Sequence, residues 1–190
     1  MPAADDVLLI TRAFEFAAER HVDHRRKGEA AEPYVNHLAE VARLVAEATD
    51  GRDAALVAAA LLHDTIEDTP TGFEELVDRF GPDVATLVRE VTDDKSLPKD
   101  ERKRRQVANA PSRSPRAKLI KLADKTSNLR ALVTSPPASW AEGRRAEYVR
   151  WAREVAAGLR GVNARAEAAF DAAAAEAAVA EFAPADAASA

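Results

Sequence analysis

Apolar side chains recur at Val7, Ile10, Ala13, Phe14, Ala17 and Ala18, the spacing of a helix that buries one face, and the pattern runs to about His21. A polar loop over 24–32 follows. Pro33 opens a second helix with Val35, Leu38, Val41, Ala42 and Val45 apolar, and Gly51 separates it from an almost wholly apolar run, Ala54–Leu62, which reads as a buried third helix. Thr71-Gly72 and Gly81-Pro82 punctuate two further helices at 73–80 and 84–91. Pro98, Pro111 and Pro115 bound a basic helix at about 99–110, another takes 116–133, and after Pro136-Pro137 a long one is expected at 139–159. Beyond Gly161 the Ala-rich stretch 163–182 favours a helix, and 183–190 reads as a disordered tail. No segment alternates apolar and polar with period two, and no unit of about 20–50 residues repeats. The expectation is an all-α fold, one compact helical bundle over 1–182.

Composition narrows the class. The 190 residues are 47% hydrophobic and 31% charged, which suits one domain with a real core and leaves little room for two. With no cysteine there is no disulfide framework, thiolate nucleophile or Cys-ligated zinc, which fits a reducing cytosol and leaves any metal to His and carboxylate. No run approaches the about 18 apolar residues of a membrane span, and Met-Pro-Ala-Ala-Asp-Asp lacks the basic start of a signal peptide. A cytoplasmic protein that does not enter a membrane is expected. The net charge of −5 is uneven: residues 1–98 carry −11, 99–130 carry +8 and 131–190 carry −2. A positive island in an acidic chain points to an anionic ligand held at one place, with a solvated basic helix as the alternative.

The densest polar cluster is His63-Asp64-Thr65-Ile66-Glu67-Asp68-Thr69, where the apolar third helix runs out. Four ionisable groups beside a core are costly unless something pairs them. Helical spacing sets His63 against Glu67 and Asp64 against Asp68, so both pairs are able to face one cavity. His37 lies near the apolar face of the second helix, and Asp124 is an acid embedded in the helical run 119–125, where an unpaired charge is expensive. If the helices bring His37, His63, Asp64 and Asp124 together, the result is a mixed N/O site suited to Mn²⁺, Fe²⁺ or Zn²⁺. His21 and His24 remain, and both read as surface residues near the loop.

The order His37, then His63-Asp64, then a distant helical Asp124 resembles the HD superfamily of metal-dependent phosphohydrolases. Arg25-Arg26-Lys27, Pro33-Tyr34-Val35-Asn36-His37, the 63–69 cluster and Lys121-Leu122-Ala123-Asp124-Lys125-Thr126-Ser127-Asn128-Leu129 are similar to the hydrolase half of the RelA/SpoT alarmone enzymes. The match is best with their small hydrolase-only branch, which includes the metazoan SpoT homologues, and it spans about 5–165. Thr126-Ser127 stand where the family has a bulkier pair. The resemblance implies an HD-type helical bundle that removes the 3′-pyrophosphate of guanosine tetra- or pentaphosphate, giving GDP or GTP and pyrophosphate, with Mn²⁺ as the metal. It implies that His37, His63, Asp64 and Asp124 are the metal ligands and that Glu67 and Asp68 are the catalytic acids. It further implies that Arg26 packs against the guanine, that Lys27 lies at the base or ribose, that Asn128 contacts the nucleoside, and that Lys99, Arg144 and Tyr148 lie near the phosphates.

The residues themselves agree with hydrolysis. A divalent metal acidifies water and neutralises charge on an attacked phosphoryl group, and Glu67 and Asp68 are able to orient the water or take its proton. The cations at 25–27 and in the island match a substrate with two pyrophosphates, although Arg102–Arg105 by themselves read mostly as a solvated face. At this length there is no room for the synthetase and regulatory domains of the bifunctional enzymes, so degradation alone is expected. One rival is the same chemistry on another nucleotide, such as the 2′-phosphate of NADPH. A second is a non-catalytic nucleotide- or RNA-binding module, against which the complete ligand set argues, so that the expected partner is a small nucleotide and not nucleic acid.

Overall fold

The computed structural model describes residues 4–141 and 143–179. In chain order the helices are α1 (Ala4–Arg20), α2 (Val35–Ala48), α3 (Ala54–Leu62), the single turn α4 (Thr65–Asp68), α5 (Phe73–Val91), α6 (Lys99–Asn109), α7 (Pro115–Thr134), α8 (Arg144–Ala157) and α9 (Ala164–Val179), with a 3₁₀ turn at Ala110–Ser112. No strand occurs among the described residues beyond a lone bridge between Arg25 and Pro33. The fold is all-α, as the periodicity predicts.

Helix α3 explains why these segments assemble. Seven of its residues, Leu56 to Leu62, are buried, because it packs against α1, α2 and α5 at once. Its first turn is capped by Asp53, whose carboxylate accepts from the Leu56 backbone N–H at 2.9 Å. The apolar side chains form two clusters: one around α1, α2, α3 and α5, the other around α7, α8 and α9. Helix α7 belongs to both, giving Leu119, Ile120 and Ala123 to the first and Leu122 and Leu129 to the second. It is therefore enclosed nearly all round, which carries Lys121, Asp124 and Lys125 into the interior.

Part of the basic island is structural. Arg116, near the start of α7, donates from Nε and Nη2 to Asp53 at 2.9 and 2.8 Å and from Nη1 to Asp83 at 2.8 Å. It ties the cap of α3 to α5 and α7. Arg116→Ala is expected to lower the unfolding free energy by about 1–2 kcal/mol, seen as a lower urea midpoint with an unchanged slope.

Within α5 the two expected segments, 73–80 and 84–91, meet at a break at Gly81, whose φ of 85° only glycine adopts freely and whose neighbour Pro82 lacks an N–H. Two sequence expectations shift. Helix α8 begins at Arg144, not near 139, because Gly143 sits at φ 78° and leaves Trp140 in the preceding loop. His21, expected at the surface, is 2% exposed, since the chain folds back and stacks the Tyr34 ring on it at 5.2 Å; His24 is half-buried beside it. The end of the 163–182 helix and the tail at 183–190 lie outside the described residues.

Candidate active site

Helices α2, α3 and α7 touch one another, and each brings a ligating side chain to the shared seam. His37 stands in the first turn of α2, His63 and Asp64 at the end of α3, and Asp124 in the middle of α7. His37 Nε2 lies 3.4 Å from Asp124 Oδ1 and 3.8 Å from Asp64 Oδ2, while His63 Nε2 lies 3.1 Å from Asp64 Oδ2 and 4.0 Å from Asp124 Oδ1. One donor atom from each of His37, His63 and Asp124 falls within 4.8 Å of the others. All four residues singled out in the sequence are thus brought together.

Their protonation is set by what surrounds them. His63 Nδ1 is 2.9 Å from the Ala60 carbonyl, an acceptor only, so Nδ1 carries a proton and the neutral ring turns its Nε2 lone pair inward. That buried Nε2 has no hydrogen-bond partner. Burial opposes the charged carboxylate of Asp124, yet the Lys125 ammonium at 2.9 Å and the His37 ring hold it well below the usual range. Asp64 is likewise held low by His63 and His37 against its burial, and it accepts from the Tyr34 hydroxyl at 2.7 Å. Burial would discharge both imidazoles; it wins at His37, whereas at His63 the carboxylate of Asp64 outweighs it and favours a positive charge. Buried carboxylates facing an unpartnered imidazole nitrogen fit a divalent cation of the borderline class.

Glu67 and Asp68 sit one turn beyond, outside that donor cluster. Glu67 accepts from the Asp93 backbone N–H at 3.2 Å and lies 3.5 Å from Arg102 Nη1. Burial, with Asp64 and Asp93 adding repulsion, raises its pKa above the ordinary glutamate value. Asp68 pairs with Lys95.

Beside the cluster lie three concavities, one of them, about 400 Å³, lined by His37, Glu40, Ser127 and Arg130. Of the other two, the first, about 230 Å³, is lined by Arg26, Tyr34 and Asn128, with Leu132 and Trp140 among the apolar groups. The second, about 200 Å³, gathers Lys27, Lys99, Arg102, Lys103 and Arg144 against Trp151. Lys27, Trp140 and Tyr148 line both, so the two adjoin as halves of one groove. The loop that carries Arg26 and Lys27 is clamped to the end of α7: Ala30 N–H donates to Ser135 Oγ at 3.0 Å, and a Cβ at Gly28 would collide with the Ser135 carbonyl.

The sequence pattern assigns no role to Tyr34, Lys125, Trp140 or Trp151 and leaves Arg102 and Lys103 on a solvated face. Arg104 and Arg105 do pair with Glu101 at the surface, but Arg102 reaches Glu67 and the Lys103 ammonium lies 5.0 Å from the Trp151 ring centre. For Lys125 a signal was present: an acid inside an apolar helix needs a cation, and the next residue is one.

Residues 13–150 match the HD domain family. Over 168 residues the chain is 51% identical to the guanosine-3′,5′-bis(diphosphate) 3′-pyrophosphohydrolase MESH1 of Xenopus tropicalis, spanning 88% of this chain and 94% of that protein. It is 49% identical over 160 residues to the Homo sapiens protein of the same name, spanning 84% and 89%. Among solved structures, that of a metazoan SpoT orthologue, described as hydrolysing ppGpp and acting in starvation responses, matches with a TM-score of 0.84 at 46% identity, covering 91% of this chain and 95% of that one. With the His–Asp cluster carried on three helices and these matches over most of its length, the chain belongs to the HD-domain family and, within it, to the MESH1 guanosine-3′,5′-bis(diphosphate) 3′-pyrophosphohydrolases.

Proposed function

We propose that this chain is a cytoplasmic, Mn²⁺-dependent hydrolase that removes the 3′-pyrophosphate from guanosine tetra- or pentaphosphate and releases GDP or GTP with intact pyrophosphate. One observation carries the reading. Tyr34 and Asn128, which line the first pocket, are hydrogen-bonded to the two carboxylates of the cluster, Tyr34 to Asp64 at 2.7 Å and Asn128 to Asp124 at 2.6 Å. A nucleoside held there has its ribose beside the ligand cluster and its phosphates along the cationic half of the groove.

His37, His63, Asp64 and Asp124 would hold the metal, which when bound supplies Lewis acidity at the attacked phosphoryl group. Arg26, over the Tyr34 ring at 5.9 Å, forms one wall of the base pocket. Lys27, Lys99 and Arg144 bind the pyrophosphates, and Tyr148 separates the two halves of the groove. The oxygen of water bonds to the phosphorus on the ribose 3′-oxygen, that P–O bond breaks, and the ribose oxygen leaves with the proton that water gives up through Glu67. Glu67 accepts the proton of water, for which a raised pKa suits it; Asp68 holds the water's other hydrogen.

The test is a competition among guanosine 3′,5′-bis-pyrophosphate, NADPH, dGTP and a 5′-monophosphate with Mn²⁺ present, products separated by ion exchange. The bis-pyrophosphate is expected to turn over fastest and to give pyrophosphate. Orthophosphate as product, or a faster rate on NADPH, overturns the assignment. No helix among the described residues is long and apolar enough to cross a membrane.

A further inference from the structure

His37 carries a second contact, on the side away from the cluster. Its Nδ1 lies 2.8 Å from Ser127 Oγ, and Ser127 Oγ lies 2.7 Å from Glu40 Oε2. The other oxygen of Glu40 accepts from Arg130 Nη1 at 2.9 Å. The pairs span 90 and 87 positions of sequence, so this chain of contacts exists only because α2 and α7 pack together. Ser127 is 1% exposed and His37 is 3% exposed, whereas Glu40 and Arg130 are half-buried.

The direction of each bond follows from inventory. An ionised carboxylate has no proton to give, so Ser127 must donate to Glu40. A serine hydroxyl has one hydrogen. Once that is spent on Glu40, Oγ is left only to accept, and His37 Nδ1 must be the donor. The neutral ring then has its lone pair on Nε2, which faces Asp124 at 3.4 Å and Asp64 at 3.8 Å. A lone pair against two carboxylates is repulsive until a cation lies between them.

We infer that Glu40 and Ser127 form a relay that locks His37 in the Nδ1–H tautomer and raises the basicity of Nε2, making both of them positioning residues for metal capture. His63 achieves the same end through the Ala60 carbonyl, so the two imidazoles are fixed by different devices: one by its own helix, the other by a side-chain chain between helices. Burial opposes ionisation of Glu40, but the hydrogen bonds from Ser127 and Arg130 outweigh it and keep the carboxyl below its ordinary pKa, which preserves the direction of the relay. Orienting an imidazole through a carboxylate in this way is typically worth about 10–100-fold in metal affinity.

The inference rests on the metal-site reading above, and two measurements separate the two. Long-range ¹H–¹⁵N correlation on the metal-free full chain, with His37 assigned by its loss in His37→Gln, is expected to show a protonated Nδ1 and an unprotonated Nε2. In Ser127→Ala and in Glu40→Gln the other tautomer is expected to appear. Titration with Mn²⁺ followed by electron paramagnetic resonance is expected to show binding weakened by about tenfold or more in both variants. Ser127→Thr, which keeps the hydroxyl and has the concavity lined by Glu40, Arg130 and Thr134 for its methyl, is expected to stay close to the parent. Unchanged tautomer and affinity in Ser127→Ala and Glu40→Gln overturn the relay while leaving the metal site intact. A parent that binds no Mn²⁺ but shows the tautomer shift overturns the metal reading and keeps the relay. Glu40 is half-buried, so Glu40→Gln carries the test should Ser127→Ala fail to fold.

Discussion

His63→Ala is expected to empty the metal site while leaving the helices in place. The side chain removed donates from Nδ1 to the Ala60 carbonyl, packs edge-on against the His37 ring at 5.2 Å and otherwise faces the carboxylates of the cluster, Asp64 at 3.1 Å, so the loss is confined to the site and a small cavity. What disappears is one of two neutral donors between Asp64 and Asp124, and two carboxylates facing one cation with a single imidazole hold it poorly. The loss of Mn²⁺ affinity should exceed the about 10–100-fold that an outer-shell partner costs, and turnover should fall with it. Metal analysis of the purified variant beside its far-ultraviolet circular dichroism checks both halves. A full metal complement would move the site elsewhere. Asp124→Ala is a poorer probe, since it strands the buried Lys125 ammonium, and breaking such a pair typically costs about 3–5 kcal/mol of stability.

Glu67→Gln is expected to give the opposite combination, metal retained and turnover lost by about 10²-fold or more. Glu67 stands outside the donor cluster and takes its contacts from Asp93 and Arg102, so an amide of the same shape leaves the ligands untouched. The pH profile supplies a second readout. Because burial and the neighbouring acids raise the pKa of Glu67, the active, deprotonated form fills only above the ordinary glutamate range, and activity in the parent should climb with pH through that raised value. In Glu67→Gln this acid limb should vanish. A limb that stays in place assigns the titration to another group.

The helices were legible where their burial is one-sided or complete in apolar residues, α2 as a stripe and α3 as an unbroken apolar run, whereas α7, enclosed nearly all round with polar residues among the buried ones, was marked by Pro115 and Pro136, which bound it. The four clustered residues were legible for the same reason, each being a polar side chain where the pattern calls for an apolar one. Glu40 and Ser127 were not. They are small or surface-facing on their own helices, and only the packing of α2 on α7 makes them partners. His21 misled because the stripe of α1 ends just before it, and its burial depends on Tyr34, which arrives after a loop. Net charge alone does not divide the positive island between ligand and fold: Arg116 serves Asp53 and Asp83, Lys121 bonds the Val91 carbonyl, and Arg104 and Arg105 spend their charge on Glu101.

Helix α7 lies in both core clusters at once. It has no way to open locally: to swing it aside is to part the two halves of the molecule, which is global unfolding. Asp124, Lys125 and Asn128 therefore stay assembled between turnovers, and the ordering of these groups is settled when the chain folds and not when substrate arrives. Whatever motion admits the nucleotide and releases the products falls to the rim, where Pro137 and Trp140 stand in the connection before α8 and Lys27 in the loop after α1. The protein is divided into a permanent chemical floor and an adjustable edge.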